Sequence, residues 1–106
     1  MQRICFTLRV KQDRMAEYRR RHASVWPSML AALRDAGWHN YSLFLAPDGL
    51  LVGYLETDDF KQAREQMKSM EVNKLWQEDM AEFFEEIGPA TADDSMAQLD
   101  EIFHLE

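Results

Sequence analysis

A phenol, an imidazole and an indole recur at intervals of four near the start of this chain: Tyr18, His22 and Trp26. On a helix that spacing puts all three on one face, one turn apart. Imidazole is the side chain whose unperturbed pKa lies near neutrality, so His22 beside Tyr18 is a place for proton transfer on a small hydroxylated molecule. Its aromatic neighbours set His22 apart from His39 and His104, because an apolar wall lowers solvation and tunes an imidazole. The same pattern also describes an ordinary helix face. In Trp38-His39-Asn40-Tyr41, strand alternation puts His39 and Tyr41 on one side and Trp38 and Asn40 on the other. If that side is the open face of a sheet, His39 and Tyr41 line a pocket there; otherwise Tyr41 is a half-buried sheet residue. Trp76-Gln77 pairs an aromatic plate, able to stack on a sugar ring, with an amide able to bond its hydroxyls. Core packing is the simpler reading of Trp76 from spacing alone.

Other chemistries lack their residues. The single cysteine, Cys5, sits in an apolar alternation and reads as a small buried hydrophobe. It cannot form an intramolecular disulfide, and metal sites built on paired cysteines are excluded. No two of the three histidines have the spacing of a helical metal site. No nucleophile elbow and no phosphate-binding glycine loop is present. A formal net charge of -7 argues against a nucleic-acid backbone or an anionic membrane as partner. Arg19-Arg20-Arg21 then reads as a solvated helix face. What remains is cofactor-free acid/base work on a small polar ligand, or binding alone. With no basic stretch ahead of a long apolar run, and no apolar run of bilayer length, a reducing, cytoplasmic setting is expected.

The elements that must position these residues follow from periodicity. The 106 residues are one domain, and 46% hydrophobic content predicts a packed core. Gln2 to Val10 alternates, with Ile4, Phe6, Leu8 and Val10 on one side, which predicts a half-buried strand. Asp13 is the expected N-cap of a helical stretch from Arg14 to Ala36, kinked or broken at Val25-Trp26 by Pro27 and stopped by Gly37. Trp38 to Leu45 and Leu50 to Glu56 form a hairpin across Ala46-Pro47-Asp48-Gly49. Gly53 marks a bulge or a close approach by a ligand or neighbouring chain. Thr57 or Asp58 caps a helix from Asp59 to about Met70, and a third helix runs from Val72 to about Ile87. After a polar loop, Gly88 to Ser95, the stretch Met96 to Leu105 returns to strand. The order β-α-β-β-α-(α)-β is the split βαβ of ferredoxin-like α+β folds. Its sheet has helices on one face, so two copies packing their open faces together predict a homodimer.

Taken together, Tyr18-Arg19-Arg20-Arg21-His22, Val25-Trp26-Pro27, Gly37-Trp38-His39-Asn40-Tyr41, Val72-Asn73-Lys74-Leu75-Trp76 and Glu101-Ile102-Phe103-His104-Leu105 resemble the L-rhamnose mutarotase family. The likeness runs from the first strand to the last residues. It implies a dimeric α/β barrel of ferredoxin-like protomers and cofactor-free interconversion of the α and β anomers of L-rhamnose. By position, His22 matches the family's general acid, Tyr18 and Tyr41 its sugar-binding tyrosines, and Trp76 the first of a substrate-contacting tryptophan pair. Gln77 stands where the second tryptophan is found, which leaves the choice of sugar open. On this reading His22 protonates the ring oxygen while Tyr18 orients the sugar or relays a proton, and Tyr41, Trp76 and Gln77 hold the ring. The competing readings are another enzyme on the same barrel, such as a small monooxygenase or a different sugar epimerase, and a non-catalytic sugar-binding module.

Overall fold

The computed structural model describes residues 1–85 and 95–106. Strand β1 (Gln2–Arg9) leads through a 3-10 turn (Gln12–Arg14) into helices α1 (Met15–Ala23) and α2 (Pro27–Asp35). Strands β2 (His39–Leu45) and β3 (Leu50–Thr57) follow, then α3 (Phe60–Lys68), α4 (Glu71–Met80), a second 3-10 turn (Ala81–Phe83) and β4 (Ala97–Leu99). The strands form one antiparallel sheet in the order β2-β3-β1-β4. The expected β-α-β-β-α-(α)-β order is present, with the first helical position also divided, into α1 and α2.

Alternation decides which face of the sheet meets the helices. Ile4 and Phe6 of β1 and Leu51 and Leu55 of β3 are buried, while Cys5, Thr7, Val52 and Tyr54 between them are partly exposed. The helices answer with Met29 and Ala32 on α2, Phe60, Ala63 and Met67 on α3, and Trp76 and Met80 on α4. Gly53 lies opposite Phe6 in the β1–β3 register. A Cβ there would stand 2.2 Å from Phe6 Cζ. The close approach expected at this glycine therefore comes from the protein's own Phe6 ring, and neither a bulge nor a ligand nor a second chain accounts for it.

The helix boundaries show where local signals governed and where they lost. Pro27 occupies the first turn of α2, where its missing N–H costs nothing, so the expected break falls at Ser24–Trp26 and yields two helices. Gly37 (φ +85) closes α2 in a Schellman motif: its own N–H donates to the Arg34 carbonyl and the Trp38 N–H to the Leu33 carbonyl. Asp13 is not the cap of α1, because the chain first makes a 3-10 turn and α1 starts two residues later with no side-chain cap. Asp59, rather than Thr57 or Asp58, caps α3 by accepting from the Gln62 N–H.

Helix α4, expected to run to about Ile87, ends earlier than its apolar spacing suggests. Lys11 N–H donates to the Phe83 carbonyl and Glu85 N–H to the Arg9 carbonyl, which draws Phe84 into a bridge with Val10. Backbone pairing beyond the end of β1 thus overrides helical continuation. The expected end of that helix at Ile87, and residues 88–94 of the loop expected from Gly88 to Ser95, lie outside the described residues. The last strand is shorter than expected: β4 stops at Leu99, and 100–106 has no regular structure, tied back by an Arg3–Glu101 ion pair.

Candidate active site

One cavity on the helix side of the sheet gathers most of the residues singled out by chemistry. Its volume is about 330 Å³, and His22, Trp38, Tyr41, Asn73, Trp76 and Gln77 are among its walls. Such a volume lies at the lower end of small-molecule sites, ~300–1,000 Å³. A side recess of about 50 Å³ shares His22, Tyr41, Trp76 and Gln77 and adds Tyr18 and Phe6. A larger, more open cleft of about 730 Å³ lies between the start of β1 and α3, lined by Arg3, Lys61, Arg64 and Glu101 among others. It holds no imidazole, and its shape is that of a surface groove, so the chemistry is assigned to the smaller cavity.

Helix α1 sets the imidazole. The Tyr18 and His22 rings stack at 4.3 Å with 31° between planes, as their spacing required. Tyr18 is buried between the edges of Phe83 and Phe84. His22 Nδ1 lies 3.0 Å from the Tyr18 carbonyl oxygen. A carbonyl only accepts, so Nδ1 carries the hydrogen and the neutral ring keeps its lone pair on Nε2. Burial holds the His22 pKa below its ordinary value, with the Tyr18 carbonyl pulling weakly the other way. Burial also pushes the Tyr18 phenol up, well out of reach of ionisation near neutrality.

The aromatic wall is built differently from the one expected. Trp26 lies beyond the end of α1 and packs edge-on against Trp76 at 5.0 Å. Trp76 itself, from α4, meets the His22 ring at 5.5 Å and 82°. Trp76 is therefore core and cavity wall at once. Arg21 ties the two helices together, pairing with Glu17 on its own helix and with Asp79 on α4 at 3.1 Å. Arg20 also pairs with Glu17, so the arginine run is in part a set of ion pairs.

On β2 the expected facing is corrected. Asn40 has φ +49, and the β2–β3 register shifts between His39 and Ser42. One irregular residue in a strand changes the facing of those around it. Tyr41 consequently turns to the helix side with Trp38, their rings 5.0 Å apart, while His39 is left exposed. The pocket lies under the helices and not on the open sheet face. His104 is also exposed. Trp38 and Asn73 are wall residues not singled out for the site from sequence. Asn73 could have been found at three and four residues before Trp76 and Gln77, on the same helix face.

This arrangement can exchange a proton at one nitrogen inside an aromatic, largely apolar chamber. A family model described as L-rhamnose mutarotase matches residues 3–105. The L-rhamnose mutarotase of Bacillus subtilis is 36% identical, with 100% of each chain covered. That of Enterococcus faecalis is 37% identical, covering 94% of this chain and 95% of the relative. A crystal structure of an L-rhamnose mutarotase from Formosa agariphila shares the fold, with a TM-score of 0.84 over 100% of both chains at 22% identity. The chain belongs to the L-rhamnose mutarotase family.

Proposed function

We propose that this isomerase interconverts the α and β anomers of L-rhamnose, with His22 as the proton-transfer group. The observation that carries the reading is the His22 ring. Its Nδ1–H is held by the Tyr18 carbonyl, which leaves the lone pair on Nε2, and the residue is part of the cavity wall. Nε2 takes the proton of the anomeric hydroxyl as the carbon–ring-oxygen bond breaks, leaving an open-chain aldehyde. The same nitrogen then gives that proton to the ring oxygen. Rotation about the bond next to the aldehyde and reversal of both steps close the other anomer. A group with pKa near the working pH serves both halves. Tyr18 stays a neutral phenol, which suits a donor that orients the sugar or relays a proton without becoming a stable anion. Tyr41 and Gln77 bind hydroxyls, and Trp76 offers its face to the ring. Polarimetry on freshly dissolved L-rhamnose tests the reading. Accelerated approach to equilibrium supports it, and a rate equal to buffer alone contradicts it.

The working unit in this proposal is a homodimer, a dimeric α/β barrel of ferredoxin-like protomers, in the cytoplasm. Directly paired residues share a sheet face, so Ser42, Tyr54, Cys5 and Leu99 form one outward row and Phe44, Val52, Thr7 and Ala97 the next. No helix covers these rows among the described residues, and Phe44 is 62% exposed. In the same chain Ile102 and Phe103 are 95% and 79% exposed. Apolar surface of this extent supports a second copy as its cover. No helix among the described residues is long and apolar enough to cross a membrane.

A further inference from the structure

Tyr41 reaches the sugar cavity because β2 carries one residue more than its partner strand. Between the pairs His39–Glu56 and Ser42–Tyr54, β2 advances three residues while β3 advances two. Asn40 takes up the excess at φ +49, in the left-handed region that residues other than glycine enter at a cost. Its side chain is restrained there. Asn40 Nδ2 donates to Glu56 Oε1 at 3.0 Å, and the Tyr54 hydroxyl donates to Glu56 Oε2 at 2.8 Å. Both carboxylate oxygens are engaged, and the Asn40 bond, followed by the Tyr54 bond, holds the Glu56 carboxyl below its ordinary value. The two β3 residues that bracket the extra residue thus supply the side chains that restrain it. Glu56 stands on an inner strand, with Arg3 of β1 opposite on one side and His39 of β2 on the other. On the helix side of the sheet, the Tyr41 ring lies 5.0 Å from Trp38 and 6.4 Å from Phe6, and Tyr41 lines both the cavity and its recess.

We propose that Glu56 is a positioning residue for sugar binding: with Tyr54 it latches the Asn40 amide across the irregular stretch of β2, keeps Asn40 left-handed, and thereby fixes Tyr41 on the cavity side of the sheet. The inference rests on the mutarotase reading and adds to it residues on the opposite face of the sheet. Glu56 touches no substrate. It acts because side chains alternate along a strand, so an irregularity that moves by one residue returns Tyr41 to the outer face. Asparagine enters the left-handed region more readily than most side chains, which makes the conformation available. The bond to Glu56 makes it the occupied one. A carboxylate only accepts, so it also selects the orientation of the Asn40 amide, with its NH2 group toward Glu56. Two carboxylates at this place would repel, whereas an amide and a carboxylate can pair in either order.

The test compares wild type with Glu56→Ala, with Asn40→Asp and with the reversed pair Asn40→Asp/Glu56→Gln. Saturation-transfer NMR on L-rhamnose gives kcat and KM, and nuclear Overhauser effects between the Tyr41 and Trp38 rings report where Tyr41 stands. Glu56→Ala raises KM about three- to ten-fold with kcat within about two-fold, as expected where an interaction common to ground and transition states is lost. Its Tyr41–Trp38 cross-peaks weaken. Asn40→Asp does the same, although aspartate enters the left-handed region as asparagine does, because it sets a like charge against Glu56. The reversed pair brings KM back to within about two-fold of wild type and restores the cross-peaks. A latch that served stability alone would lower the melting temperature of Glu56→Ala and leave KM and the cross-peaks at wild-type values, and that result overturns the proposal while the mutarotase reading stands. A reversed pair no better than Asn40→Asp alone overturns it too. Absence of exchange with wild type overturns the mutarotase reading instead, and the cross-peaks then decide the role of Glu56 by themselves.

Discussion

Gly53→Ala is the perturbation with the most to say about how the sheet supports the site. An added Cβ would lie 2.2, 2.5 and 2.7 Å from three atoms of the Phe6 ring. Ordinary carbon contacts are ~3.5–4.0 Å, so the ring or the strand must give way by about 1 Å or more. The Phe6 ring is 1% exposed within the core cluster, which leaves it little room to move. Overpacking a core typically costs ~1–3 kcal/mol, and the depth of this clash places Gly53→Ala at about 3 kcal/mol. At roughly 4–8 °C per kcal/mol for a domain of this size, the melting temperature falls by about 12–24 °C. Thermal melts followed by circular dichroism measure it. Phe6 also lies 6.4 Å from Tyr41 and lines the recess beside His22, so exchange on L-rhamnose slows in the folded variant as well. In a Phe6→Leu background the alanine costs less, with a favourable coupling of about 1–2 kcal/mol. A Gly53→Ala protein within about 0.5 kcal/mol of wild type would refute the reasoning.

In the proposed mechanism, protonation of His22 removes the lone pair that starts the reaction. With its pKa held below the ordinary 6.5, kcat/KM measured against pH shows an acid limb centred below 6.5. Stability has the same sign: the unfolded chain binds the His22 proton before the folded one does. The His22 contribution is therefore fully present above 6.5 and is lost as pH falls through the lower folded value. Urea midpoints across that range show a shallower slope for His22→Gln. Asn40→Val places a β-branched residue at φ +49. It costs ~1–2 kcal/mol in urea unfolding and raises the KM for L-rhamnose by disturbing Tyr41. Phe44→Glu puts a charge in the outward rows; if the proposed homodimer forms through them, light scattering reports a monomer for this variant and a dimer for wild type.

Much of the scaffold was legible because burial follows simple periods. Ile4 and Phe6 at period two, and Phe60, Ala63 and Met67 at helical spacing, point to the core as their pattern requires. Tyr18 and His22 were legible for the same reason, since they share a turn of an unbroken helix. What escaped was decided by single residues or distant pairing. The left-handed Asn40 turns Tyr41 away from His39, and nothing in the alternation of neighbouring side chains announces it. The end of α4 answers to backbone bonds with Arg9 and Lys11, far away in sequence, so Phe83 and Phe84 kept a helical look that tertiary pairing overrode. At Gly53 the protein's own Phe6 ring takes the place of the expected bulge, ligand or neighbouring chain, because the β1–β3 register sets the two residues opposite each other.

The central claim is that anomer exchange runs through His22 Nε2. Saturation-transfer NMR on L-rhamnose, comparing wild type with His22→Gln at matched binding and confirmed folding, addresses it most directly. Wild type is expected to transfer saturation between the two anomeric protons, and His22→Gln to lose roughly 10²–10⁴-fold in that rate. A folded, sugar-binding His22→Gln protein that exchanges the anomers as fast as wild type would contradict it.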